Sequence, residues 1–426
     1  MSATAEATHV SGVTIGPAPI PVDALPLQAI DVSDPQLYLD DTWRPLFERL
    51  RREDPIHYCP ESPYGPYWSV TRYNDIMDVE LNHAVYASGG DFGGIQIADA
   101  TLGREVVSFI RMDPPQHTVR RRTVAPIVGP SNLVNMEATI RERTTAVLDG
   151  LPCNETFDWV DRVSIELTTM MLATLFDFPW EDRRKLTWWS DVAVANIDAP
   201  DAPVRSDEER FAELGRMGEY FSRLWNERVN APPKFDLISM LAHGEETRHM
   251  TPQEFIGTLA LLIVGGNDTT RNTMSGGLLA LHDNPEQWEK LRRNPALVPS
   301  LVAETIRYQT PVIHMRRTAK ADAELCGKQI RQGDKVVMWY VSGNRDEEVI
   351  EDGDSFIVDR AKPRQHLSYG AGIHRCVGDR LADLQLRILW EEILKRDLRI
   401  EVVGAPRRIY SNFLRGFREL PVKVKG

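Results

Sequence analysis

One cysteine constrains this chain more than any other residue. Cys376 stands in the run Ser368-Tyr-Gly-Ala-Gly-Ile-His-Arg-Cys-Val-Gly-Asp-Arg-Leu-Ala, directly ahead of an apolar-periodic segment through Leu384, Leu386, Ile388 and Trp390. Gly370 and Gly372 let backbone pass close to a bulky group, and the helix that the period predicts begins near Gly378. Unpaired N–H groups and the positive end of a helix dipole favour a thiolate there, and a thiolate is what a metal needs. His374 and Arg375 add hydrogen-bonding or positive character. Two readings stay open on these residues alone: a small buried hydrophobe, or a metal ligand. Zinc fits poorly, because no Cys-x-x-Cys pair occurs and Cys59, Cys153 and Cys326 are scattered. A dinucleotide loop fails too, since Arg375 stands where a third glycine belongs.

The remaining composition bounds the setting. With 426 residues, 42% of them hydrophobic, the chain can build a substantial core. A net charge of -12 and the lack of a basic run with interleaved aromatics exclude general nucleic-acid binding. Four isolated cysteines point to a reducing compartment. Residues 1–25 lack a basic n-region and a long apolar core, and the longest apolar run, 259–264, is far short of the ~20 residues a membrane span requires. The expectation is a cytoplasmic protein without membrane anchor: a flexible tail over 1–25, then a single domain over 26–426.

Taken in order, Asp34-Pro35 opens an amphipathic helix carrying Leu37, Trp43, Phe47 and Leu50, and a hairpin follows over 56–58 and 67–71. The glycine-rich stretch 87–97 reads as a mobile loop whose Phe92, Ile95 and Ile97 either face a ligand or anchor the loop. Asp113-Pro then starts a helix with His117 and Arg121 four apart on one face, a pair able to grip an anion. Arg120 and Arg122 point elsewhere, toward either an acidic electron donor or solvent. Helical periodicity runs over 131–245, broken near Gly150, Phe178 and 198–203.

Thr251-Pro-Gln-Glu254 is a capping box launching the longest helix, which runs to Asn284-Pro285. Its middle reads Val264-Gly-Gly-Asn-Asp-Thr269. Asp268 and Thr269 are costly in an apolar helix, and Gly265 lets a flat group lie against it. A threonine hydroxyl that bonds one turn back loosens the helix and makes room for water. Glu304 and Arg307 form an i, i+3 acid–base pair. Strand-like runs over 322–330 and 335–340 and near the C-terminus add a minor β region. Val312, Ile313 and Met315, with Phe413 and Leu414, are candidates to line a pocket, as are Ile95, Ile97 and Val264. No fixed charge for a carboxylate is evident in that pocket, which suits an alkyl chain.

The stretch from Ser368 to Ala382 resembles the heme-binding signature of the cytochrome P-450 superfamily, with Tyr369 where the family usually has Phe. The resemblance extends over most of the chain and implies a mainly α fold with heme b between the long central helix and the cysteine loop. It implies Cys376 as the proximal thiolate ligand of the iron, favouring O–O cleavage. His117, Arg121 and Arg317 would bind heme propionates. Gly265, Tyr369, Gly370, His374 and Gly378 would complete the cofactor site. Asp268 and Thr269 would be the oxygen-activation and proton-relay pair. Glu304, Arg307 and Arg360 would be structural.

The segments 336–349 and 384–394 resemble soluble bacterial hydroxylases of the terminal carbon of medium-chain alkanes and fatty acids. That likeness implies O2 as co-substrate and electrons from a [2Fe–2S] ferredoxin and an FAD-containing ferredoxin reductase, none being fused here. A sterol or lipid side-chain hydroxylase of the same fold is the alternative. A peroxide-driven enzyme and a heme sensor fit less well, because neither requires the Asp268–Thr269 pair.

Overall fold

The computed structural model describes residues 22–99 and 107–425. The tail expected over 1–25 therefore falls mostly outside the described residues. Its last part is already packed: Val22–Ala24 forms a short 3-10 turn, Leu25 is buried, and Arg49 donates to the carbonyls of Val22 and Leu25.

Helices dominate and the sheets are small, as expected. The described chain opens with α1 (Pro35–Leu39), α2 (Arg44–Glu53), the hairpin β1 (Ile56–Cys59) and β2 (Tyr67–Val70), α3 (Tyr73–Leu81) and β3 (Tyr86–Ala87). Then come α4 (Gln116–Val124), α5 (Pro130–Asp149), β4 (Thr156–Asp158), a π-helical stretch over Val160–Ile165, and α6 (Glu166–Phe176). The helices α7 (Arg184–Ala193), α8 (Asp207–Val229), α9 (Leu237–His243), α10 (Pro252–Asp283), α11 (Pro285–Arg293) and α12 (Val298–Gln309) follow. Next are β5 (His314–Ala319), β6 (Ala323–Leu325), β7 (Lys328–Ile330), β8 (Lys335–Trp339) and α13 (Tyr340–Gly343). Past the cysteine loop lie α14 (Asp379–Lys395), β9 (Arg399–Val402), β10 (Arg407–Arg408), β11 (Phe417–Glu419) and β12 (Pro421–Lys425).

The main sheet has strand order β1-β2-β8-β5-β3, with β8 parallel to β2 and antiparallel to β5. Its core is Trp43, Phe47 and Trp339 on one side. Two helical cores flank the long helix, one around Phe176, Trp189 and Phe221, the other around Trp159, Leu389 and Trp390.

The ends of α10 are set locally. Glu254 N–H donates to the Thr251 hydroxyl at 3.3 Å and Thr251 N–H donates to the Glu254 carboxylate at 2.8 Å, satisfying two otherwise orphaned donors. Pro285 stops the helix. Glu254 also pairs with Arg120 at 2.7 Å, pinning α4 to the start of α10. That pairing corrects the expectation of a free basic face at Arg120, whereas Arg122 is exposed.

Two local expectations also change. The single helix expected over 35–50 is two, because Asp41 takes a positive φ of 56° and its carboxylate serves Arg44, Arg408 and Arg415 instead. The run 322–330 is a hairpin of its own, turning at Cys326 and Gly327. The polar strand β5 was not foreseen.

Candidate active site

Between α10 and the cysteine loop lies a cavity of about 600 Å³. Its wall takes Val264, Gly265 and Thr269 from α10, Arg121 from α4, and Met315 and Arg317 from β5. The loop before α14 contributes Tyr369, Gly370, His374, Cys376 and Gly378. Ile95, Ile97, Val312, Phe413 and Leu414 complete the apolar part. Two candidates are elsewhere. Phe92 is exposed outside the cavity, and Ile313 is buried against Val337 and Trp339. Ile313 is turned away because its N–H donates to the Phe413 carbonyl at 2.8 Å while its carbonyl accepts from Val341.

The cysteine loop is closed by Cys376 N–H donating to the Tyr369 carbonyl at 2.8 Å, with Gly370 and Gly372 at φ of 64° and 61°. A side chain at Gly372 would meet the Glu80 carbonyl at 2.6 Å, so only glycine allows the close pass over α3. The surface that Cys376 exposes is cavity wall, and the sulfur is otherwise enclosed by protein. Burial raises its thiol pKa, against which the Gly378 N–H and the charges of Arg121 and Arg375 pull down. The helix end therefore does not by itself make a thiolate here. A cation at the sulfur would supply what is missing. The Tyr369 hydroxyl donates to Asp383 Oδ1 at 2.7 Å and to the Asp379 carbonyl at 3.2 Å, so it is spent on α14.

Beside the loop, the rings of His117 and His374 lie 4.4 Å apart by centroid, and all four ring nitrogens are buried without a partner. Burial, then Arg121, lowers His117 to about 4; burial, then Arg317, lowers His374 to about 2. Both are neutral at physiological pH, each keeping one N–H to donate. Arg121 donates to the Arg375 carbonyl at 2.5 Å. Arg317 donates to Glu80 at 2.8 Å, and the Tyr340 hydroxyl donates to the same carboxylate. Neither Glu80 nor Tyr340 was singled out in the sequence, since their meeting with Arg317 is set by the fold. Of the neighbours Arg316 and Arg317 on β5, Arg317 lines the cavity while Arg316 pairs with Asp99 at 2.6 Å.

On α10 a Cβ at Gly265 would meet nothing within 4 Å, whereas one at Gly266 would come within 2.7 Å of Leu172 Cδ2. The first glycine opens the cavity and the second admits α6. Thr269 Oγ1 donates to the Gly265 carbonyl at 3.0 Å, the back-bond expected of it. Asp268 is different. Adjacent helical residues point about 100° apart, and its fully buried carboxylate faces α7 instead of the cavity. There it accepts from Ser190 Oγ at 2.8 Å and pairs with Arg271, which also pairs with Asp191 at 2.5 Å. Burial holds its pKa above the usual carboxylate range despite Arg271. Of the expected pair, Thr269 alone touches the cavity.

A family model for Cytochrome P450 matches residues 222–416. Linalool 8-monooxygenase from Pseudomonas putida is 38% identical over 404 residues, covering 92% of this chain and 98% of that protein. The chain belongs to the cytochrome P450 family. This P450 is also similar to a methyl-branched lipid omega-hydroxylase from Mycobacterium tuberculosis, 31% identical with 98% of each chain covered. Among solved structures it resembles Cytochrome P450-153 from Novosphingobium aromaticivorans, with a TM-score of 0.88 and 51% identity over 93% of this chain and 99% of that one.

Membership makes it a monooxygenase that uses O2 and electrons from redox partners, and implies a heme b. The site fits that group. A flat macrocycle with two carboxylates on its edge needs an open helix face, a soft ligand and anion-binding donors. Gly265, Cys376 and the orphaned histidines beside Arg121 and Arg317 are of those kinds. Among the described residues, no helix is long and apolar enough to cross a membrane, and no His, Cys, Asp and Glu cluster could hold another metal ion.

Proposed function

We propose that this P450 hydroxylates medium-chain alkanes or fatty acids at the terminal carbon. The observation that carries the reading is the cavity wall: Ile95, Ile97, Val264, Val312, Met315, Phe413 and Leu414 share one space with Thr269 and Cys376. The resemblance to bacterial terminal hydroxylases and the relative named an omega-hydroxylase support it. Bound there, the heme activates O2 so that one oxygen atom enters a C–H bond of the substrate.

Every other part belongs to the chain. Cys376 would supply the thiolate ligand of the iron. His117, Arg121, His374 and Arg317 would hold the propionates, with Arg317 shared with Glu80. Gly265 would accommodate the flat face, and Tyr369, Gly370 and Gly378 would shape the ligand loop. Terminal attack is the harder outcome, because a primary C–H bond is stronger than a secondary one. The apolar wall must therefore hold the methyl end in place, a positioning effect.

Thr269 passes protons from its hydroxyl on the cavity wall. Asp268 is the store behind it: burial holds its carboxyl above the usual carboxylate range even though Arg271 pairs with Oδ1, so it can take or give up a proton. Ser190 and Arg271 position that carboxylate. Electrons arrive singly from a [2Fe–2S] ferredoxin served by an FAD-containing reductase.

The test supplies holoenzyme with NADH, ferredoxin and reductase, then octane or dodecanoate, and resolves the products by gas chromatography. Primary alcohols as the main products are expected. Mainly subterminal alcohols would overturn the terminal assignment. Turnover of a sterol and of neither alkyl substrate would replace it with side-chain hydroxylation of a larger lipid.

A further inference from the structure

Among the described residues, one cation on the cavity wall has no counter-charge. Other guanidiniums there are engaged: Arg317 with Glu80, Arg210 with Asp207 at 2.9 Å, and Arg121 with the Arg375 carbonyl. Arg111, just before α4, lines the same cavity. Among the described residues no ion pair or side-chain hydrogen bond reaches its guanidinium, although burial and the charge of Arg316 both disfavour the cation.

Among the described residues, the acids closest in the chain are committed elsewhere. Asp113 accepts from the N–H groups of Ser88 at 3.1 Å and Gly89 at 3.2 Å. Asp99 is held between Arg316 at 2.6 Å and Lys335 at 2.8 Å. An enclosed cation left unpaired is costly, and a guanidinium matches a carboxylate with two parallel N–H groups.

The guanidinium also has a seat. Gly94 has φ of +82°, and a Cβ there would stand 3.1 Å from Arg111 Nη1 and 3.5 Å from Nε. The missing side chain lets the planar group lie against the backbone and limits how it turns. The seat places this positive group against the glycine-rich loop, where Gly93 likewise receives Arg316, and not against the loop that carries Cys376.

We propose that Arg111 receives the carboxylate of the substrate, so that this P450 prefers a fatty acid to the neutral alcohol or alkane of the same chain length. The proposal rests on the alkyl-chain reading above. It also supplies the fixed charge that the sequence did not reveal, while Ile95, Ile97 and Val264 leave the chain an apolar wall.

The test titrates ferric holoenzyme with dodecanoate and with dodecan-1-ol, at a pH where the acid is ionised, and reads the heme spectrum. The wild type should bind the acid about 10- to 100-fold more tightly than the alcohol, the range of a charge-assisted hydrogen bond. Arg111→Met should bring the acid to the level of the alcohol while changing the alcohol by no more than about twofold, and Arg111→Lys should restore part of the preference. Equal affinity for both ligands in the wild type overturns the proposal and leaves the alkyl reading standing. Equal weakening of both in Arg111→Met overturns it as well, by showing a packing role. If Arg111→Met fails to retain heme, the wild-type comparison decides. No response to either ligand overturns both readings.

Discussion

Two buried ion-pair groups in this P450 use the same residue types and are built to opposite specifications. Glu304 meets Arg307 through two bonds of 2.7 Å and Arg360 at 2.9 Å, and accepts from Ile357 N–H at 2.8 Å. Arg307 spends its other donors on the carbonyls of Asn344, Gly353 and Ser355. Asp268, Arg271, Asp191 and Ser190 form the second group. Here Arg271 pairs with Asp268 Oδ1, but Arg271 Nε and the nearby amide nitrogens of Asn267 and Asn272 have no hydrogen-bond partner. A saturated network has one good arrangement and holds shape. An unsaturated one has alternatives close in energy, which suits a group that must exchange a proton.

Breaking the first network should have the largest effect. Glu304→Ala strands two arginines in the interior and should cost about 3–5 kcal/mol of stability. Urea unfolding checks this, with heme loss expected in parallel; a loss below about 1 kcal/mol would remove the distinction between the two networks.

The second network should fail in function instead. Asp268→Asn should lower kcat by about 10²-fold or more, the typical share of a positioned acid or base. Its stability should depend on pH in a defined direction. The folded-state pKa of Asp268 lies above the unfolded value, so the native state binds the extra proton between the two. Wild-type stability should therefore fall as pH rises through that window, and the fall should be smaller in Asp268→Asn. Thermal melts across pH 4 to about 7 compare the two slopes.

Thr269→Ala sharpens the comparison on the cavity side. It should retain heme and ligand binding but lower product formed per NADH consumed by roughly tenfold, with the electrons recovered as peroxide and Thr269→Ser restoring coupling. Normal coupling in the alanine variant would contradict the relay. The smallest effect is expected where a pair is neither buried nor saturated. Arg184 and Asp161 lie 2.9 Å apart and are 44% and 56% exposed, and Arg184 keeps Glu166 at 2.7 Å, so Asp161→Ala should change stability by less than about 1 kcal/mol.

What was legible in the sequence follows the range over which each feature is determined. The bounds of α10 were readable because Thr251, Glu254 and Pro285 act within one turn. The cysteine loop was readable because glycines at fixed spacing serve a backbone requirement. The strand β5 was not, since His314-Met-Arg-Arg-Thr-Ala lacks apolar alternation and gains its pairing from β8 and β3. The break between α1 and α2 depends on Arg408 and Arg415, distant in sequence from Asp41. Counter-charges are likewise set by the fold: Glu80 on Arg317, and none on Arg111 among the described residues. The placing of Asp268 behind the helix could have been inferred, because neighbours in a helix cannot share one face.

The most direct measurement is the absorption spectrum of the reduced, CO-bound protein. A thiolate-type Soret band is expected in the wild type, and its loss in Cys376→Ala with folding retained. Folded, heme-loaded wild-type protein without that band would contradict the assignment of Cys376, and with it the site described here.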